Sequence, residues 1–276
     1  MNELRSSVQL AGTTLGEHRH ICAFFRTRDE EYGVLLPFVR EGIDRGEKAF
    51  HIVDPALRAD HLSRLQGEGV DVRAAATSGQ LEVRTWDETY LRSGRFDQRV
   101  MLALVEQVLQ DARAQGFPLT RLVAHMEWAL EDRPGVRDLV EYEARASALL
   151  ARYEDPVLCT YDDTKFAAEL ARDVRRAHPM ALSAEALQAN PGFVPPDQLL
   201  HEIATRGPAE KERLKRFTAR CIHCTHVILA GVCRIGEDEA DILREHLRAC
   251  RRTVPMERRR GDGLGRLLEN YQVAEE

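Results

Sequence analysis

The chain has 276 residues, 43% hydrophobic and 30% charged, with a net charge of -6. That mixture excludes wholesale disorder and supports one full core plus a small appendage. The negative balance excludes attraction of the whole molecule to nucleic acid, and the one concentrated basic patch runs from Arg244 to Arg260, with seven arginines against two glutamates.

No apolar run reaches the roughly 18 residues of a membrane span, and the first residues lack a signal-peptide core. The expected location is the cytoplasm, without membrane contact. There the six cysteines are expected as thiols or metal ligands rather than disulfides.

Residues 1–19 show no sustained periodicity and read as a flexible lead-in. The run from His20 to Phe25 suits a buried strand, and Thr27 with Glu30 three residues on makes a capping box that starts a helix. Leu35, Leu36, Val39 and Ile43 form its apolar face, and Gly46 stops it before a second strand, Ala49 to Val53. Asp54-Pro55 turns into a helix carrying Leu57, Leu62 and Leu65, after which Val70-Asp71-Val72 and Leu81-Glu82-Val83 read as short strands. The clearest helix follows, with Val100, Met101, Leu104, Val105, Val108 and Ala112 at helical spacing. Leu122 to Met126 is a strand, Val136 to Tyr153 a helix and Val157 to Tyr161 a strand, and Thr164 caps a last helix ending near His178-Pro179. This alternation predicts an α/β domain over 20–200, a mostly parallel sheet flanked by helices. Ala189-Asn190-Pro191-Gly192 and Pro195-Pro196 mark its end, and 201–220 reads as a helical linker.

A nucleotide-hydrolysing α/β protein needs glycines and a lysine between its first strand and helix, so that backbone amides can cradle phosphate. Here that loop is Arg26-Thr27-Arg28-Asp29, with no glycine. No Gly-x-Gly-x-x-Gly follows a strand and no Gly-x-Ser-x-Gly supplies a nucleophile, so no catalytic residue is assigned and the chain reads as a non-enzyme. A small-molecule pocket at the carboxyl ends of the strands stays open.

Several segments occur together in order: the His20 strand, Gly42-x-x-x-Gly46-Glu47, Phe96-Asp97, His125 to Leu130, Glu141-Tyr142-Glu143, Leu158 to Asp162 and His178-Pro179. Over roughly residues 17 to 200 the chain resembles the MEDS sensory domain, the methanogen/methylotroph, dichloromethane-regulator sensory family. The resemblance implies a RecA/KaiC-like fold without a working phosphate loop, and signal sensing in transcriptional control, including responses to small carbon compounds. It carries over no catalytic residues. No helix-turn-helix fits ahead of residue 20, so the output is expected at the C-terminus.

Glu127 and Trp128 follow a buried strand at the end where α/β folds place ligands, and an aromatic beside a carboxylate suits a polar or cationic one. The plainer alternative is a Trp filling the helix-sheet interface and a Glu paired with an Arg. Glu143 shares a helical face with Leu139, Ala146 and Leu150, so its carboxylate needs a partner or a raised pKa, unless its head reaches water at the core margin. With Tyr161 these make the candidate ligand-binding set. Core packing is the alternative for Tyr161, as for Cys22 and Cys159, and His20 and His178 read as ordinary histidines at a strand end and a helix end.

Cys221-Ile222-His223-Cys224 is a thiolate pair at knuckle spacing, and His246 and Cys250 stand at i and i+4 on one helix face. Together they predict a Cys3His zinc site in a hairpin-helix module over 221–254, followed by a tail over 255–276. The set resembles C2HC zinc fingers, although 21 residues separate Cys224 from His246, against about 12 to 15 in the usual pattern. Cys233, His223 or His226 could replace a ligand. Zinc would stabilise a segment too small to fold alone. The expected function is a regulator that senses a small-molecule signal and acts through this module on DNA, or alternatively as an adaptor on a regulatory protein such as a sigma factor or kinase. A homo-oligomer stays open.

Overall fold

Strand β3 (His20–Phe25) is apolar at nearly every position and lies inside a seven-stranded sheet, where both faces of a strand are covered. The computed structural model describes residues 7–131, 133–183, 186–205, 217–221, 227–232, 242–245 and 271–275. Before β3 come β1 (Gln9–Leu10) and β2 (Thr13–Thr14); after it, in chain order, come α1 (Arg28–Asp44), β4 (Lys48–Val53), α2 (Arg58–Gly67), α3 (Val72–Thr77), β5 (Leu81–Thr85), α4 (Gln98–Ala114), β6 (Thr120–His125), α5 (Leu139–Leu150), β7 (Val157–Asp162), α6 (Ala168–Arg176), β8 (Met180–Leu182), β9 (Leu187–Ala189) and α7 (Pro196–Thr205). The sheet order is β5-β4-β6-β7-β3-β8-β9. Every neighbouring pair is parallel except β8 and β9. An α/β architecture with a mostly parallel, helix-flanked sheet is therefore what the alternating pattern produces.

Side-chain alternation along the strands divides the core in two. Ile21, Ala23, Val123 and Leu158 pack with Leu35, Phe38 and Val39 of α1, Leu65 of α2 and Ala75 of α3. Cys22, Phe24, Leu122 and Cys159 face Met101, Val105 and Val108 of α4, Leu139 and Ala146 of α5, and Leu170 and Val174 of α6. The chain thus leaves β3 toward one face and its neighbour β7 toward the other, and a crevice opens at the carboxyl ends of such adjacent strands.

Four local expectations differ from what forms. The lead-in carries the β1–β2 hairpin, with Leu10 and Leu15 buried in the core, because its few apolar residues alternate over too short a span to show periodicity. Val72 starts α3 instead of a strand, since the Asp71 carboxylate accepts the Ala74 amide at 2.9 Å and caps it. Thr164 is held in a turn by Asp162, and α6 begins later, at Ala168. Beyond Pro195-Pro196, α7 stays with the sheet domain, because Leu199 packs against Ala144 and Ala177.

At the C-terminus β10 (Phe217–Cys221) pairs antiparallel with both β11 (Val227–Val232) and β12 (Tyr271–Glu275). Strand, not helix, thus closes the 201–220 segment, and the expected tail ends in a strand. Among the described residues no helix is long and apolar enough to cross a membrane.

Arg121 of β6 and Glu47, each 1% exposed, form the buried ion pair that ties α1 to the sheet. Arg121 Nε donates to Glu47 Oε2 at 2.6 Å, and its Nη1 donates to Glu41 Oε2 at 2.8 Å and to the Phe38 carbonyl at 2.5 Å. A Cβ on Gly42 would lie 2.6 Å from the Arg121 side chain, which accounts for glycine at that point of α1. Arg121→Ala removes the partner of Glu47 Oε2, leaving Arg45 Nε 3.2 Å from Oε1 as the remaining cation, and should cost about 3 kcal/mol in urea denaturation. Adding Glu47→Gln should recover part of that loss; additive costs would show the pair to be uncoupled.

Candidate functional site

Two buried polar groups flank the crevice, one on each face of the sheet. On the α5/α6 side, β3 contributes His20, β7 contributes Cys159 and Tyr161, α5 contributes Glu143 and Ser147, and His178 follows α6. The parallel register sets Cys22 opposite Cys159, so His20 and Cys159 project from neighbouring strands toward the same layer. Glu143 and His178 are 0% exposed and His20 and Cys159 4%.

Glu143 is the hub of this group. Its Oε1 accepts the Tyr161 hydroxyl at 2.8 Å, while Oε2 faces His20 Nε2 at 3.4 Å and His178 Nε2 at 3.3 Å. Cys159 Sγ lies 3.5 Å from His20 Nε2. Burial and the facing His178 push the His20 imidazole down to about 4, against the pull of Glu143. Burial also disfavours the charged Glu143, yet His178 and His20 overcome it and hold the carboxyl well below the usual range, opposite to a raised pKa. These directions compete, because an ionised Glu143 needs positive charge beside it and a His20 depressed to about 4 supplies none near neutrality. The carboxylate's requirement for a cation is the direction the geometry supports. Burial drives the Cys159 thiol well above its ordinary value and that of Cys22 to about 12.

On the α1/α2 side, Arg28 Nη1 donates to Glu31 Oε2 at 2.8 Å and to His125 Nδ1 at 3.4 Å. Tyr32 Oη and His51 Nδ1 each lie 2.8 Å from a nitrogen of His61, making a buried Tyr-His-His chain. Burial above all lowers His51 to about 3 and depresses His61 and His125, so these rings are neutral near neutral pH.

Between the two groups, Phe25, Arg28, Glu31, Glu127, Tyr161 and Asp162 line a cleft whose cavity volume is about 20 Å³. That is room for about one water, so the cleft as it stands is a narrow polar notch. Of the residues singled out in the sequence, Glu127 and Tyr161 line the cleft and Glu143 lies behind Tyr161. Trp128 does not join them: it is fully buried, with ring centroids 4.4 Å from both Tyr90 and Phe96. Cys221 ends β10, and Cys224, His246 and Cys250 lie outside the described residues. Sequence reasoning passed over Arg28, Glu31, His51 and His61, and gave His20 and His178 no role. Their signal is the pleat: His20, Cys22 and Phe24 share one strand face, so a polar group there must meet another.

The small polar cleft lies at the carboxyl ends of the parallel strands, the position where α/β folds place their ligand sites. The family model described as MEDS, the methanogen/methylotroph, DcmR sensory domain, matches residues 19–179, and the chain belongs to that family. It is also 28% identical over 174 residues to the transcriptional repressor DcmR of Methylorubrum extorquens, a match covering 63% of each chain. The chain thus spans under two thirds of that relative's length. The family description makes residues 19–179 a sensory domain.

Burial and the nearby Glu31 raise the Glu127 carboxyl from 4.5 to about 7, against the opposing Arg28. The native state therefore holds a proton that the unfolded chain releases, and stability falls as pH climbs from about 4.5 to about 7. Glu127→Gln removes that penalty, so its melting temperature should gain on the wild type between about pH 5 and about pH 8. A difference that stays constant across this range would contradict the raised value.

Proposed function

We propose that this chain is a cytoplasmic, non-enzymatic regulator of transcription whose sensory domain receives a small polar signal molecule in the cleft above β3, β6 and β7. The supporting observation is the position of Tyr161: the residue borders the cleft although only 1% of it is exposed, and its hydroxyl donates to Glu143 in the buried group, so an occupant would meet the interior through one residue. The domain is taken as a RecA/KaiC-like scaffold in which Thr27, capping α1 through the Glu30 amide at 3.2 Å, stands where a phosphate loop would begin. The likeness to a transcriptional repressor supports control of transcription as the output. The basic stretch Arg244 to Arg260 would contact DNA phosphates, steadied by zinc on Cys221, Cys224, His246 and Cys250, a ligand set that rests on its spacing alone.

Phosphate contacts release counterions, so binding should weaken steeply as salt is raised. The full chain should retain duplex DNA fragments at low salt, and replacing Arg251, Arg252, Arg258, Arg259 and Arg260 with Gln should abolish retention and flatten the salt slope. No retention by the unaltered chain at low salt would remove the DNA output and leave the adaptor reading, in which the module docks on a regulatory protein.

A further inference from the structure

We infer that His20, Glu143, Cys159 and His178 hold a divalent transition-metal ion, zinc by its ligand chemistry, inside the sensory domain. This centre is separate from the C-terminal cysteine set and does not depend on the proposed output.

The hydrogen bonds around the two histidines fix which nitrogens face each other. His178 Nδ1 lies 2.9 Å from the Val174 carbonyl, which only accepts, so that nitrogen carries the proton. The Ser147 hydroxyl donates to the Ala177 carbonyl at 2.5 Å, so His20 Nδ1, 2.7 Å from the same oxygen, must donate to it. With a proton on each Nδ1, Nε2 is the atom that both rings turn toward Glu143 Oε2, and it offers a lone pair wherever the ring is neutral. Neither Glu143 Oε2 nor His178 Nε2 has a hydrogen-bond partner, although both are buried. Such convergence of acceptors is costly unless a cation sits among them.

Three of the six ligand-to-ligand distances match those of a tetrahedral ion. Zinc bonds of about 2.0–2.2 Å to nitrogen or oxygen and about 2.3 Å to sulfur give edges of about 3.3 Å between N or O ligands and about 3.6 Å between N and S. The corresponding distances are 3.3 and 3.4 Å from Glu143 Oε2 to the histidines and 3.5 Å from Cys159 Sγ to His20. All four ligand atoms lie within 4.8 Å of one another. The charges balance as well: a carboxylate and a thiolate cancel a divalent cation, leaving a neutral buried centre once the Cys159 proton has passed to solvent. Ser147, the Val174 carbonyl and Tyr161 orient His20, His178 and Glu143 from behind, as outer partners do around metal ligands.

A proton is the competing occupant. Cys159 could donate to His20 Nε2 while a protonated His178 paired with Glu143. The 3.3 Å contact between His178 and Glu143 lacks hydrogen-bond geometry, however, and favours an ion set off the line joining the two atoms.

The test uses the full chain with Cys221, Cys224, Cys233 and Cys250 replaced by Ser, produced in zinc-restricted medium supplemented with cobalt(II). About one cobalt per chain should be retained, with the visible bands of a tetrahedral ion and the near-ultraviolet charge-transfer band of a single thiolate. Cys159→Ser should remove the charge-transfer band and Cys22→Ser should leave it. Ser147→Ala, which alters no ligand, should weaken cobalt binding roughly 10–100-fold. A folded chain that retains no cobalt, or a charge-transfer band that survives Cys159→Ser, would overturn the inference. Metal loss alongside intact DNA retention in the unaltered chain would sink the metal centre alone, whereas bound metal without DNA retention would sink only the proposed output.

Discussion

The Nδ1 positions of His20 and His178 are committed to acceptors supplied by the fold, Ser147 and the Val174 carbonyl, and this commitment governs what the interior can hold. With those protons placed, Nε2 of each imidazole is the atom that meets the Glu143 carboxylate, and the inferred metal centre needs both as lone pairs. The arrangement depends on the β3–β7 register, on the i,i+4 relation of Glu143 and Ser147 along α5, and on the chain crossing from α6 to β8. Moving any of these elements by one residue would turn a polar group into the apolar layers around it.

The cleft sits where those elements diverge. β3 and β7 stay paired as far as Phe25 and Asp162, but the chain then leaves them toward α1 and α6 on opposite faces, and Arg28, Glu31, Glu127 and Tyr161 border the cleft beyond. Tyr161 borders the cleft and also belongs to the interior, so the proposed signal molecule would reach Glu143 through it. On the other face, the Tyr32-His61-His51 chain lies beside Glu31 and His125, so neither side of the sheet below the cleft is purely apolar. The two apolar layers and the Arg121–Glu47 pair lie apart from this region, which carries buried polar atoms without hydrogen-bond partners, Glu31 Oε1, Glu127 Oε2 and Glu143 Oε2 among them.

The strands were readable from the sequence because a parallel sheet covered on both faces demands continuous apolar runs, as in His20 to Phe25 and Val157 to Tyr161. Helix α3 was not, since its Val72 start looks β-forming until the Asp71 cap is seen. The hairpin at Gln9–Leu10 and Thr13–Thr14 is too short for any period to register. Glu143 stood out as a carboxylate on an apolar helix face, but that pattern equally allowed a head reaching water at the core margin, whereas the structure buries it completely. Its partners did not, because His20, Cys159 and His178 come from three other elements and no spacing links them. Trp128 misled for the opposite reason: adjacency to Glu127 placed it at the strand end, but the short helical turn from Glu127 to Leu130 carries it into the aromatic layer with Tyr90 and Phe96.

The centre of this account is the proton placement on His20 and His178, and nitrogen-15 NMR of the imidazole rings reads it directly. The account predicts a protonated Nδ1 and an unprotonated Nε2 on both rings near neutral pH. A proton on Nε2 of either ring would contradict it.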